Sequence, residues 1–230
     1  ICNGGSTTLS VIGGSLGTGA NWQWYSSSCG GTAVGSGSSV TVSPTSNTTY
    51  FVRAEGTCNT TTCVSTTVTV NQPSVAPGSV SATFNTICNG QTTILSVNGG
   101  ALGTGASWVW YAGGCGSGTS VGSGVSISVS PTSTTTYFVR AEGTCGNTSC
   151  ASATITVYQP SSDPTSISGT TVICNGQSTT LSVVGGALGT NAKWQWYTSS
   201  CGGASAGSGS SITVSPSGTT TYFVRAEGIC

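Results

Sequence analysis

Cysteine is the one residue type in this chain that is both reactive and frequent: there are eleven in 230 residues, with no histidine and no methionine. Acid–base catalysis needs a titratable group poised near neutral pH, or a metal. The only acids are Glu55, Glu142, Glu227 and Asp163. The three glutamates occupy one recurring position, so each copy of the recurring sequence has a single acid and no carboxylate pair. Serine is abundant, but no base stands by to activate one. The glycine-rich loops lack the Gly-Lys-Ser/Thr ending of a phosphate cradle. Calcium sites need clustered carboxylates, and zinc sites need close Cys or His spacing. No two cysteines stand closer than Cys58 and Cys63. We therefore expect no catalytic residue, no metal, no cofactor and no enzyme. The cysteines read as disulfides, which form and persist in an extracellular or cell-surface setting.

Charge narrows the classes further. Four Lys+Arg balance four Asp+Glu, and charged residues make up 3%, against roughly 25% in ordinary soluble domains. That cannot build the basic face a nucleic-acid partner requires, nor a charged disordered tail. No apolar run approaches the length of a membrane span, and no signal peptide opens this chain. So few charges leave hydration to sugars on Ser, Thr or Asn, or make assembly the purpose. Asn47, Asn59 and Asn147 begin N-x-[ST] sequons. In a chain this rich in Ser and Thr such matches also arise by chance.

The strongest pattern is an internal repeat. Ile-Cys-Asn-Gly begins at Ile1, Ile87 and Ile173, 86 residues apart each time. A unit of that size holds its own core. We divide the chain into residues 1–72, lacking a first strand, 73–159, complete, and 160–230, lacking a last strand. Two accounts of the missing strands remain open: a window on a longer repetitive polypeptide, or strands donated between neighbouring subunits.

Apolar runs are short, β-branched and bounded by Gly, Pro, Ser and Asn, the pattern of strands and turns. In the first repeat we place strands at residues 7–12, 21–25, 39–42, 49–55 and 64–70, with 13–20 a turn loop. Residues 79–84 supply a further strand before the next copy. About seven short strands per unit, with turns every 8–12 residues, predict an all-β chain of tandem immunoglobulin-like β-sandwich domains, disulfide-stapled, like beads on a string. Alternation puts Tyr50, Val52 and Ala54 on one face, in the spacing of a tyrosine-corner strand. Trp22 and Trp24 share a face, and we assign Trp24 to the core. The core markers are then Trp24, Tyr50 and Val52, with Trp110, Tyr137, Trp196 and Tyr222 in the other copies.

The units resemble the immunoglobulin-like repeats of very large secreted surface proteins and adhesins of the Bacteroidetes. The residues that carry this are the ICNG motif, Trp-Gln-Trp-Tyr followed by Cys-Gly-Gly, and the run from Ser39 through Tyr50-Phe51-Val52-Arg53-Ala54-Glu55-Gly56-Thr57-Cys58 to Val70. The resemblance spans the whole chain and implies stalks, fibres or adhesive surfaces rather than one activity.

Four cysteines per unit allow three pairings. Cys2 and Cys29 flank the second and third strands at one end, while Cys58 and Cys63 flank the last hairpin at the other. Pairing within each end gives Cys2–Cys29 and Cys58–Cys63, then Cys88–Cys115, Cys145–Cys150 and Cys174–Cys201, leaving Cys230 unpaired. Pairing across the ends would exceed the roughly 7 Å Cα limit.

Phe51, Arg53 and Glu55, with Tyr25 on the adjoining strand, form an outward stripe. It recurs as Tyr111, Phe138, Arg140 and Glu142, and as Tyr197, Phe223, Arg225 and Glu227. It reads either as an Arg–Glu pair covering an aromatic or as a contact face between chains. Two functional readings follow. One is a structural component of an extracellular fibre or filament whose partners are other copies of itself. The other is an adhesin repeat that binds a surface glycan or protein through its end loops, or a passive stalk presenting a terminal module.

Overall fold

The computed structural model describes residues 1–230. It contains strands and no helix, as the lack of any helical periodicity requires. The first repeat holds β1 (Thr7–Ser10), β2 (Asn21–Ser26), β3 (Thr32–Ser36), β4 (Ser39–Val42), β5 (Thr48–Glu55) and β6 (Val64–Val68). The second holds β7 (Ser79–Ala82), β8 (Thr86–Cys88), β9 (Thr93–Asn98), β10 (Ser107–Ala112), β11 (Thr119–Ser123) and β12 (Ser126–Val129). It continues with β13 (Thr135–Gly143), β14 (Gly146–Asn147) and β15 (Ala151–Tyr158). The third holds β16 (Ser166–Ser168), β17 (Thr179–Val184), β18 (Lys193–Thr198), β19 (Ala204–Ser208), β20 (Ser211–Val214) and β21 (Tyr222–Glu227).

The second repeat shows the whole architecture. One sheet runs β12-β9-β7; the other runs β11-β10-β13-β15-β8, with β14 paired to β13. Residues from both close on one core: Leu95 and Val129 from the first sheet, Trp108, Trp110, Tyr137, Val139 and Ile155 from the second. Period-2 alternation selects these residues, because one face of each strand must turn inward. Trp110 is fully buried, and its indole N–H donates to the carbonyl of Gly124 at 2.9 Å, so the ring leaves no polar atom unsatisfied. Trp24 and Trp196 make the same bond to Gly37 and Gly209.

The other repeats keep the sheets and lose part of the cover. β1 has no strand in the place β7 takes beside β9, and β21 has none in the place β15 takes beside β13. Their buried clusters shrink to three and four residues, against ten in the middle repeat. This is why Val139 is fully buried while its counterpart Val52 is half-buried and lines an open cleft with Leu9, Trp22 and Trp24. Tyr222 is likewise half-buried beside a cleft where Tyr50 and Tyr137 are buried.

β3 with its counterparts β11 and β19, β8, and the two-residue β14 lie outside the sequence expectation. β3, Thr-Ala-Val-Gly-Ser, is poor in strand formers, yet it pairs through its backbone with β2 across a bulge at Trp24/Tyr25. β8 is the Thr86-Ile87-Cys88 segment itself, paired in parallel with the end of β15: Thr156↔Thr86, Val157↔Ile87, Tyr158↔Cys88. The first repeat has the same arrangement as a parallel bridge, Cys2↔Asn71.

Replacing Trp110 by Ala removes a ring with no solvent access and its hydrogen bond. The expected cost is about 3–5 kcal/mol, read as a lowered urea midpoint for the transition of the middle repeat alone.

Candidate functional site

The joints between repeats are the most elaborated sites in the molecule. The parallel pairing of the Ile-Cys-Asn segment carries Cys2 to the point where the chain leaves the first repeat. Asn3 N–H donates to the Asn71 carbonyl at 2.8 Å, and Asn71 N–H to the Ile1 carbonyl at 2.8 Å. From the second repeat, the turn after β13 brings Cys145 to the same place. Cys2 and Cys145 form a disulfide across the joint, with Cα atoms 5.6 Å apart. Cys88 and Cys230 form its equivalent at the next joint, with Cα atoms 5.8 Å apart.

Hydrogen bonds repeat with the same fidelity. Gln72 N–H donates to Thr104 Oγ1 and Thr104 N–H returns to the Gln72 carbonyl, both at 2.9 Å. Asn3 Nδ2 donates to Gln72 Oε1 at 3.0 Å, and Gly103 N–H to Ser74 Oγ at 2.9 Å. At the second joint, Gln159, Thr190, Asn89, Gly189 and Ser161 make the same four bonds. The linker lies directly on the loop glycine. A Cβ at Gly103 would stand 2.1 Å from the Gln72 carbonyl oxygen, and one at Gly189 would stand 2.1 Å from that of Gln159. Only glycine permits that approach.

A second pair of disulfides lies within repeats: Cys29–Cys63 and Cys115–Cys150. Each ties the turn after the tryptophan strand to the residue just before the last strand. The turn folds back over the outer face. At Gly116, with φ 68°, a Cβ would meet the Arg140 guanidinium at 2.3 Å. Beneath the turn, Tyr111 Oη donates to Glu142 Oε1 at 2.5 Å, Arg140 Nε donates to the same oxygen at 2.7 Å, and Arg140 stands 5.5 Å from the Tyr111 ring centre. Tyr25, Arg53 and Glu55 form the same triad, as do Tyr197, Arg225 and Glu227. The tyrosine hydrogen bond, then that of the arginine, holds each glutamate below its ordinary carboxylate range. The glutamate acceptor in turn pushes each tyrosine up.

Every disulfide expected from the sequence is corrected. Cys2 bonds Cys145 instead of Cys29, and Cys88 bonds Cys230 instead of Cys115. Cys63 and Cys150 bond Cys29 and Cys115 instead of Cys58 and Cys145. Cys230, expected to be unpaired, is bonded, whereas Cys58, Cys174 and Cys201, expected in disulfides, are free and exposed. Strand register gives the reason. Val52 faces Val64, so Cys63 lies level with Arg53, while Cys58 sits past Glu55 at the hairpin tip. At about 3.3 Å per residue they are more than 10 Å apart, outside disulfide reach. The parallel bridge to Asn71 holds Cys2 at the far end of β6 from that tip, facing the next repeat.

The outward stripe is largely satisfied from within. Tyr25 and Tyr197 are buried under their arginines, and the Phe51, Phe138 and Phe223 rings are half-buried. Asn59 and Asn147 are exposed at the hairpin. Asn47 is exposed too, but its Oδ1 accepts the Val70 N–H at 2.8 Å, the task Thr134 performs for Val157 in the second repeat. No group of three or more His, Cys, Asp or Glu side chains is placed to hold a metal.

The family model described as "Ig-like domain CHU_C associated" matches residues 1–72, 75–159 and 162–230. No curated protein matches the chain. Among solved structures, Sidekick-1 immunoglobulin domains 1–5 is similar at 15% identity and TM-score 0.45, covering 92% of this chain and 49% of that one. The chain thus spans about half the length of that structure. The three N-terminal domains of the Hoc outer capsid protein of bacteriophage RB49 are similar at 16% identity and TM-score 0.39, covering 95% and 80%. A Ca2+-stabilized adhesin of an Antarctic bacterium, described as helping it reach out and bind ice, is similar at 14% identity and TM-score 0.37, covering 96% and 67%.

The triads set a pH window. A depressed glutamate pKa contributes stability that is present above the unfolded value, near 4.5, and is lost as pH falls through the lower folded value. A raised tyrosine contributes below its unfolded value of 10.0, and that part is lost as pH rises through the higher folded value. Tyrosinate absorbance of the folded protein at pH 10 is therefore expected to lag that of the denatured chain, and E142Q is expected to return one tyrosine toward the denatured curve.

Proposed function

We propose that this chain, which belongs to the family of CHU_C-associated Ig-like domains, is a structural segment of an extracellular or cell-surface fibre, with partners that are other copies of the same repeat. The observation that carries the reading is the joint. Both joints are closed by the same disulfide and the same reciprocal pair of hydrogen bonds between linker glutamine and loop threonine, so neighbouring repeats are held in one fixed relation. Tandem domains within one chain otherwise move relative to one another by default. Two covalent connections at each joint, the peptide and the disulfide, remove the hinge a single linker would leave.

The joint also weighs against ligand binding at the loops. The loop after the second strand of the sandwich is a usual ligand site in immunoglobulin-type domains. Here its equivalents around Thr104 and Thr190 are occupied by the preceding linker. The hairpin tips at Cys145 and Cys230 are occupied by the staples. The three Arg–Glu pairs use up all but Lys193 and Asp163 of the charged side chains. A nearly uncharged surface lets copies pack side by side without repulsion.

Small-angle scattering of the oxidised chain is expected to give a stiff rod of about 110–130 Å, from three domains of about 35–45 Å each. Replacing Cys2 and Cys88 by Ser is expected to leave each repeat folded and to broaden the distance distribution into that of a hinged string. An unchanged distribution would remove the mechanical role of the joint.

A further inference from the structure

The middle repeat carries four bonded cysteines, and their order along the chain sets how tension crosses it. Cys145 meets the preceding repeat through Cys2, and Cys88 meets the following one through Cys230. The other two, Cys115 and Cys150, bond each other. Cys150 follows Cys145 after four intervening residues, and Cys63, bonded to Cys29, follows Cys58 at the same spacing. The joint itself does not call for that spacing, because Cys145 makes it without Cys150.

A covalent route therefore crosses the middle repeat without following the chain. It enters at Cys145, runs to Cys150, crosses the disulfide to Cys115, runs back along the chain to Cys88 and leaves through Cys230. It holds about 32 residues, whereas the peptide holds 86 from one Ile-Cys-Asn-Gly motif to the next. The route uses β9, β10 and the short β14. β11, β12 and β13 lie off it, between Cys115 and Cys145, and so does β15, which follows Cys150. While the fold holds, load passes through the paired strands. Once the core opens, two covalent connections span the repeat side by side, and the shorter one goes taut first.

We infer that the Cys115–Cys150 disulfide completes a tether from joint to joint, which limits how far the repeat extends when its fold yields to tension. This rests on the joints of the fibre reading and goes beyond it: the joints fix orientation, and the tether sets a limit to stretching. Segments off the route bear no tension, so β13 and β15 stay free to pair again when tension falls. The tether exists in the oxidised chain and is lost on reduction, because every crossing on the route is a disulfide.

The test stretches the full chain in optical tweezers between peptide tags at its two ends, with the free, exposed Cys58, Cys174 and Cys201 replaced by Ser. In the oxidised chain the route between the tags holds about 33 residues and three disulfides, so the limiting length is expected to be about 140 Å. A thiol reductant is expected to lengthen that limit about sixfold, to the reach of the whole peptide. Adding Cys115→Ser and Cys150→Ser keeps both joints, which peptide mapping confirms. It is expected to lengthen the limit about 1.6-fold, because the route must then follow the chain from Cys88 to Cys145. A limit unchanged by that pair of substitutions would overturn the inference, as would an oxidised parent chain that stretches as far as the reduced one. The limit is read on the stretched chain, so the result does not depend on the variant folding. Scattering of the oxidised parent chain reads the joints separately: a hinged string there counts against the fibre reading and leaves the tether standing.

Discussion

The structure depends on one short parallel pairing, that of the Ile-Cys-Asn segment with the end of the last strand of its own repeat. Antiparallel pairs need only a tight turn, whereas parallel partners need a long crossover. Here the crossover is the whole sandwich, so the pairing joins the start of a repeat to its exit. That places a cysteine from the beginning of one repeat against the hairpin tip of the next, where Cys145 stands. The covalent joint, the linker geometry and the approach of Gly103 to Gln72 all follow from this placement. A disulfide closing a loop of 143 residues also constrains the unfolded chain more than a local one: about 5 kcal/mol in the loop-entropy model, against about 4 for the 34-residue separation of Cys29 and Cys63.

With 3% charged residues, the outer faces are held by other means. Threonine hydroxyls pair across strands: Thr49 with Thr67 and Thr136 with Thr154, both at 2.8 Å, and Thr8 with Thr41 at 3.0 Å. Such pairs contribute roughly 0.2–1 kcal/mol each, and Thr is among the better strand formers. The Ser/Thr richness is therefore a sheet-stabilising device as well as a hydrating one. The few charges are concentrated in the Tyr–Arg–Glu triads, where each arginine lies beneath a folded-back turn and orders the loop that carries Cys29 or Cys115.

Much of the fold was legible because it is written in local patterns. Alternation in Tyr50-Phe51-Val52-Arg53-Ala54 assigned the core face, and it separated Tyr50 from the outward Arg53. β3 was not legible, since Thr-Ala-Val-Gly-Ser carries neither alternation nor strand propensity and forms through backbone pairing to β2. The disulfides were misread for a different reason. Pairing four cysteines of one unit by the end of the sandwich they lie at treats residues that flank one hairpin as close and leaves out partners in the neighbouring repeat. Two features pointed elsewhere. Cys2 sits at the boundary of the unit, and Cys58 sits at a hairpin tip, the position through which Cys145 and Cys230 meet the preceding repeat. The parallel bridge that settles the matter involves Asn71, which has no distinguishing sequence mark.

The chemistry of the joints follows from the same composition. Of eight charged side chains, six are committed to Arg–Glu pairs within single strands, and Lys193 and Asp163 take no part in an ion pair. Electrostatic complementarity, the usual device for orienting protein contacts, is thus not on offer between repeats. The joints are built from backbone amides, short neutral side chains and a covalent bond, none of which salt at physiological strength screens. Their integrity is set by the redox state of the surroundings, which is oxidising outside the cell and reducing within it. In a chain of this kind each joint has a single linker while its thiols are reduced and gains a second covalent connection where they are oxidised.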